Sequence, residues 1–117
     1  MCGISGYYSP TKKFDTKDLK SMTSVLSHRG PDAHGYFFDD CVGLGHRRLS
    51  ILDLSSNANQ PIHSHCKRYV MVYNGEVYNY QEIATELKCQ FKSDFKTSSD
   101  SEVILEAFVH YGANFIE

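Results

Sequence analysis

A hairpin signal lies in the first half of the chain, with helical periodicity on either side of it. Tyr36 to Phe38 and the run from Val42 onward read as its two arms, joined around Asp39-Asp40. Residues Gly3 to Ser9 form an earlier apolar, aromatic-rich strand, ended by Ser9-Pro10. Between these strands, Asp15 or Thr16 can cap a helix through about Leu26, with Leu19, Met22 and Leu26 at helical spacing. His28-Arg29-Gly30-Pro31-Asp32 breaks it with a Gly-Pro turn. The second hairpin arm, Leu44 to Leu52, is long for one regular strand, and a bend is expected at Gly45. Mixed strands and helices around a central hairpin indicate an α+β fold.

The second half repeats the mixture. Ser55 to Gln60 is a polar loop closed by Pro61. Tyr69-Val70-Met71-Val72-Tyr73 has the strongest β-propensity in the chain, and it stops at Asn74-Gly75, which favours a tight turn with positive φ. Asn79 and Glu82 open a short helix that buries Ile83, Ala84 and Leu87. Ser99 and Glu102 form a capping-box pattern ahead of Val103, Ile104, Ala107, Phe108 and Tyr111, and Gly112 ends that helix.

Bulk properties exclude several function classes. A chain of 117 residues holds at most one domain. The net charge of −2, with Lys and Arg spread along the sequence, points to no nucleic-acid or membrane-surface partner. No apolar run approaches the roughly 18 residues of a membrane span, and no secretory signal pattern opens the chain, so cytoplasmic residence is the expectation. The cysteines at 2, 41, 66 and 89 form no CxxC pair, and the six histidines do not surround them at zinc-ligand spacing. They read as free thiols, with no metal site expected.

One cysteine stands apart. Removal of Met1 leaves Cys2 with a thiol and a free α-amine on the same residue. The thiolate is the nucleophilic form of cysteine, and an α-amine titrates near pH 8, so one residue can supply both nucleophile and general base. Three further segments supply what amide hydrolysis would still lack. A guanidinium in the otherwise apolar run Arg48-Leu49-Ser50-Ile51 can hold a carboxylate through two parallel hydrogen bonds, or serve as an ordinary surface ion pair. Asn74 and Gly75 can donate to a developing oxyanion, or form a plain turn. Asp100 can accept from an ammonium, or belong to a helix cap. Together the three functional readings describe a free amino acid with an amide side chain, glutamine or asparagine.

The motifs Met1-Cys2-Gly3-Ile4, His28-Arg29-Gly30-Pro31-Asp32, Arg48-Leu49-Ser50-Ile51, Asn59-Gln60-Pro61-Ile62, Tyr73-Asn74-Gly75-Glu76-Val77-Tyr78-Asn79 and Ser99-Asp100-Ser101-Glu102-Val103 occur in that order. The set resembles the glutaminase domain of glutamine-hydrolysing asparagine synthetases, class II glutamine amidotransferases with the N-terminal-nucleophile hydrolase fold. The resemblance implies an αββα sandwich, of which this chain is an N-terminal portion. It implies Cys2 as nucleophile, with Asn74 and Gly75 forming the oxyanion hole. It also implies a glutamine site of Arg48 on the α-carboxylate, Glu76 and Asp100 on the α-amine, and walls from Leu49, Ser50, Ile51 and Leu52.

In that family the domain continues into further strands, and an ATP-using synthetase domain follows in which aspartate is amidated. Residues 1–117 are therefore expected to be a partial glutaminase domain with an open sheet edge and an uncovered apolar face. The implied partners are glutamine and a synthetase domain, in the same protein or another chain. No cofactor is expected here, ATP and Mg belonging to the synthetase domain. Two other readings stay open: a truncated, inactive fragment that binds glutamine or a partner, and an amidase for acyl amides. Arg48 and Asp100 oppose the last, because binding both ends of an amino acid needs their charges.

Overall fold

Local turn chemistry sets the first half of the molecule, a computed structural model that describes residues 1–51 and 54–116. Strand β1 spans Gly3–Tyr8, helix α1 Thr16–Val25, β2 Ala33–Asp39 and β3 Val42–Arg48. Asp40 takes the left-handed φ of 41° that closes the β2–β3 hairpin. Asp15 caps α1 by accepting from the amides of Lys17 and Asp18, and Asp18 returns a bond to the Asp15 amide. The three strands form an antiparallel sheet in the order β1-β3-β2, with Ser5 opposite Gly45 and Tyr36 opposite Gly45 on the other side.

Helix α1 covers one face of this sheet. Leu19 and Thr23 are its buried residues, and Met22, expected on the same face, is 36% exposed. Thr23 Oγ1 lies 2.8 Å from Ser5 Oγ. A Cβ on Gly45 would collide with Thr23 Oγ1 and Ser5 Oγ. Glycine is therefore required at 45 for close helix–sheet approach, and β3 runs through it in regular register without the expected bend.

Alternation along the strands puts Cys2, Ile4, Gly6 and Tyr8 on the opposite face, with Leu44, His46 and Arg48 of β3. The chain from Ser55 to His63 crosses the β2 side of that face. The Gln60 carbonyl sits where a Gly35 Cβ would be, and the His63 ring packs edge-on against Phe37. The β1 side is open: Ile4 is 47% and Tyr8 73% exposed, and β1 is an edge strand.

The five-residue strand expected at Tyr69–Tyr73 is reduced to β5, Val70–Met71, paired with β4, Ile62–His63. Beyond Met71 side chains take over the backbone bonds. Gln60 Oε1 accepts from the Tyr73 amide, and His46 Nε2 donates to its carbonyl. Nor is φ positive at Asn74 or Gly75; among the described residues it is positive at Lys12, Asp40, Lys67, Lys92 and Gly112.

Helix α2, Tyr80–Phe91, packs on α3, Asp100–Tyr111, around Leu87, Val103 and Ala107, with Ile83 and Ala84 partly buried against them. Asn79 occupies the N-cap of α2 without a side-chain bond to it. Ser99 caps α3 by accepting from Ser101, but Glu102 does not close the expected box. Its carboxylate accepts instead from the Lys96 and Thr97 amides and lies 3.3 Å from His65 Nε2. Leu105, absent from the expected apolar face, is buried as well. Gly112 ends α3 at φ 70° as expected. Among the described residues no helix is long and apolar enough to cross a membrane.

Candidate functional site

Three chain segments meet at the end of β3. Cys2 precedes β1 by one residue, Arg48 is the last residue of β3, and Asp100 opens α3. They line one cavity of about 380 Å³, together with Leu49, Ile51, Asn74, Gly75 and Glu76. Eight of the expected site residues are therefore brought together. Ser50 is not among the lining residues; its amide donates to Asp32 Oδ2 at 2.7 Å. Leu52 lies outside the described residues.

Cys2 is half-buried, and the Leu49 amide donates to its Sγ at 3.2 Å, fixing the sulfur against the start of the 49–51 segment. Asp32 steadies that segment from behind. Its amide donates to the Arg48 carbonyl and its carboxylate accepts from Ser50, while a Cβ on Gly30 would strike the Arg47–Arg48 backbone. The turn motif at 28–32 is thus a brace for the wall of the cavity. Met1 is on the cavity lining too, and is 72% exposed.

Arg48 is 7% exposed, and its Nη1 donates to the Ser55 carbonyl and to Asn59 Oδ1, both at 2.6 Å. Neutral acceptors leave the guanidinium charge uncancelled while fixing its plane. Asp100, on the same lining, is 7% exposed and accepts from the Val77 amide at 2.9 Å. Glu76 stands exposed at the rim. Burial raises the Tyr73 phenol above its ordinary pKa, and the charges of Asp100 and Glu76 raise it further. The lining therefore carries both a cationic group, Arg48, and anionic groups, Asp100 and Glu76.

A Cβ on Gly75 would stand 2.6 Å from the Tyr73 hydroxyl, so a side chain there would displace the phenol. Sequence reasoning missed Tyr73, Gln60, Ala58, Tyr78, Ser99 and Ser101 as lining residues. A signal existed for Gln60, which lies in the Asn59-Gln60-Pro61 motif, and for Tyr73, which adjoins Asn74. Among the described residues no group of three or more His, Cys, Asp or Glu side chains is placed to hold a metal ion. All four cysteines are free.

His46 lies beneath this layer, 1% exposed, with Nε2 3.2 Å from the Tyr73 carbonyl. A carbonyl only accepts, so Nε2 carries the proton. Nδ1 is buried and has no partner among the described residues. Desolvation lowers the imidazole pKa from its ordinary value, the Tyr73 bond works the other way, and Arg48 lowers it again. The unfolded chain, at about 6.5, thus takes up a proton before the folded one does. The stability His46 contributes is complete above about pH 6.5 and is lost as pH falls toward the folded value. The melting temperature should decline as pH drops below about 6.5, and His46→Gln should flatten that slope in a melting series. An unchanged slope would contradict a buried neutral His46.

A family model described as a glutamine amidotransferase domain matches residues 1–117. Asparagine synthetase [glutamine-hydrolyzing] 1 of Bacillus subtilis is 42% identical over 115 residues, covering 95% of this chain and 18% of that protein. Amidase chry2 of Gibberella zeae is 41% identical, covering 99% of this chain and 19% of its own length. Asparagine synthetase B [glutamine-hydrolyzing] of Escherichia coli is 36% identical over 100% of this chain and 21% of its own. The chain thus spans about a fifth of the length of these relatives. With α+β architecture and a family match along its whole length, the chain belongs to the glutamine amidotransferase domain family.

Proposed function

We propose that this domain hydrolyses glutamine to glutamate and ammonia through a thioester on Cys2. The observation that carries the reading is the cavity itself, whose lining combines a cysteine, a buried guanidinium and a buried carboxylate. Arg48, with Nη1 committed to the 55–59 loop, meets the substrate α-carboxylate with its remaining nitrogens. Asp100 and Glu76 take the α-ammonium. The amide side chain then reaches toward Cys2, where the Asn74 amide and the Gly75 N–H receive the oxyanion.

Once Met1 is removed, the Cys2 α-amine accepts the thiol proton as sulfur attacks the amide carbon. The same amine delivers that proton to the leaving nitrogen, and ammonia departs as the C–N bond breaks. Water, deprotonated by the amine, then attacks the thioester, and glutamate leaves with the C–S bond broken. In the whole protein the ammonia would amidate aspartate or a related carboxylate at an ATP- and Mg-dependent synthetase site outside residues 1–117. Completing an αββα sandwich would require further strands over Ile4 and Tyr8.

The open β1 edge and the exposure of Ile4 and Tyr8 favour one second reading, a domain that binds glutamine without turning it over. Measuring both products separates the two. Glutamate and ammonia released one for one from glutamine support the proposal, whereas saturable glutamine binding with neither product supports the second reading.

A further inference from the structure

Neither side chain of the Asn59-Gln60 dipeptide touches a reacting atom in the chemistry above, yet the two bond to different parts of the lining, Arg48 and Tyr73. Asn59 Oδ1 accepts from Arg48 Nη1 at 2.6 Å, and Gln60 Oε1 accepts from the Tyr73 amide at 2.5 Å. Tyr73 leads directly into Asn74 and Gly75. Its carbonyl is held as well, by His46 from the sheet below. The dipeptide has a firm seat of its own, because the Gln60 carbonyl fills the space a side chain would take at Gly35. The Asn59 backbone amide also donates to the Ser56 carbonyl at 3.1 Å, which closes the short turn before it.

We infer that Asn59 and Gln60 are positioning residues that set the two halves of the site against each other. Asn59 acts through Arg48 and so on the grip of the amino-acid end. Gln60 acts through the Tyr73 backbone and so on the place of the Asn74 and Gly75 donors. Two adjacent residues therefore fix the distance between the group that holds the substrate and the groups that receive its oxyanion. A displacement of about 1 Å in such a constellation costs about 100-fold in rate, so the effect of losing either anchor is measurable. The inference rests on the glutaminase reading for its kinetic consequences, but not for the geometry.

Opposite kinetic signatures follow in the full-length protein. With kcat counted per site titrated by 6-diazo-5-oxo-norleucine, Gln60→Met should lower kcat about 10- to 100-fold and leave KM for glutamine nearly unchanged. Gln60→Glu keeps an acceptor for the Tyr73 amide and should recover much of that loss. Asn59→Ala should raise KM about 10-fold with kcat per site little altered. A purely structural role would lower the titrated fraction in all three and shift neither constant.

Amide hydrogen exchange at Tyr73 gives a readout that needs no activity. Exchange there should quicken about 10-fold in Gln60→Met and slow again in Gln60→Glu. Wild-type exchange and kinetics in Gln60→Met would overturn the inference. Wild-type protein that hydrolyses no glutamine, or hydrolyses it equally well as Cys2→Ala, would overturn the glutaminase reading instead. In that case Tyr73 exchange alone decides the positioning.

Discussion

Cys2→Ala is expected to remove glutamine hydrolysis, with kcat falling about 10⁴-fold or more. The expectation follows from the absence of a substitute on the same residue. Alanine keeps the α-amine, which can still act as a base, but offers no atom to form the acyl bond. The fold should survive the change. The sulfur's backbone contacts are both to Leu49, accepting from its amide and donating to its carbonyl, and losing such a bond costs about 1 kcal/mol. Glutamine should therefore still bind to Cys2→Ala with near wild-type affinity, since Arg48 and Asp100 are untouched. Isothermal titration beside a glutamate-release assay checks both halves. Hydrolysis that persists at a tenth of the wild-type rate would show that another group is the nucleophile.

Arg48→Ala is expected to raise KM for glutamine about 100-fold or more, because hydrogen bonds to charged groups contribute about 1.5–3 kcal/mol each. Part of any loss will be structural, as the side chain is buried and holds the 55–59 loop through Ser55 and Asn59. Comparing substrates removes that component. An acyl amide without the α-carboxylate cannot use Arg48, so its kcat/KM should fall far less than that of glutamine. Arg48→Lys retains the charge but not the planar fork, and should lie between the two. Equal losses on both substrates would contradict a carboxylate-binding role and would favour an amidase that ignores the amino-acid end.

Where structure was legible in the sequence, the cause was local. The β2–β3 hairpin, the Asp15 cap and the Gly112 stop each rest on backbone chemistry within a few residues, and each is found. Pairing and packing were not legible in this way. Tyr69–Tyr73 has high β-propensity throughout, but a strand exists only where a partner supplies its bonds. Gln60 and His46 side chains intercept Tyr73 instead. Gly45 suggested a bend because its reason, the approach of Thr23, comes from a helix 22 residues earlier in the chain. Glu102 matched a capping box and was drawn away by the Lys96 and Thr97 amides.

The cavity lining shows the same division. Cys2, Arg48, Asn74, Gly75 and Asp100 were legible as lining residues because each carries a group of the kind that amide hydrolysis of an amino acid would need, and Glu76 through the motif resemblance alone. Tyr73 and Gln60 were not, since their contribution is made through backbone atoms and through each other. Ser50 was named with its segment, but alternation along an extended chain turns neighbours in different directions, and its amide is taken by Asp32.

The central claim is that Cys2, freed of Met1, is the nucleophile of a glutamine site. Its most direct test is labelling the protein with 6-diazo-5-oxo-norleucine, a glutamine analogue with an electrophilic carbon in place of the amide, followed by peptide mass mapping. One adduct per chain, on an N-terminal peptide that begins at Cys2 and is protected by excess glutamine, is the predicted result. A processed chain that carries no adduct at Cys2, or carries it on Cys41, Cys66 or Cys89, would contradict the account.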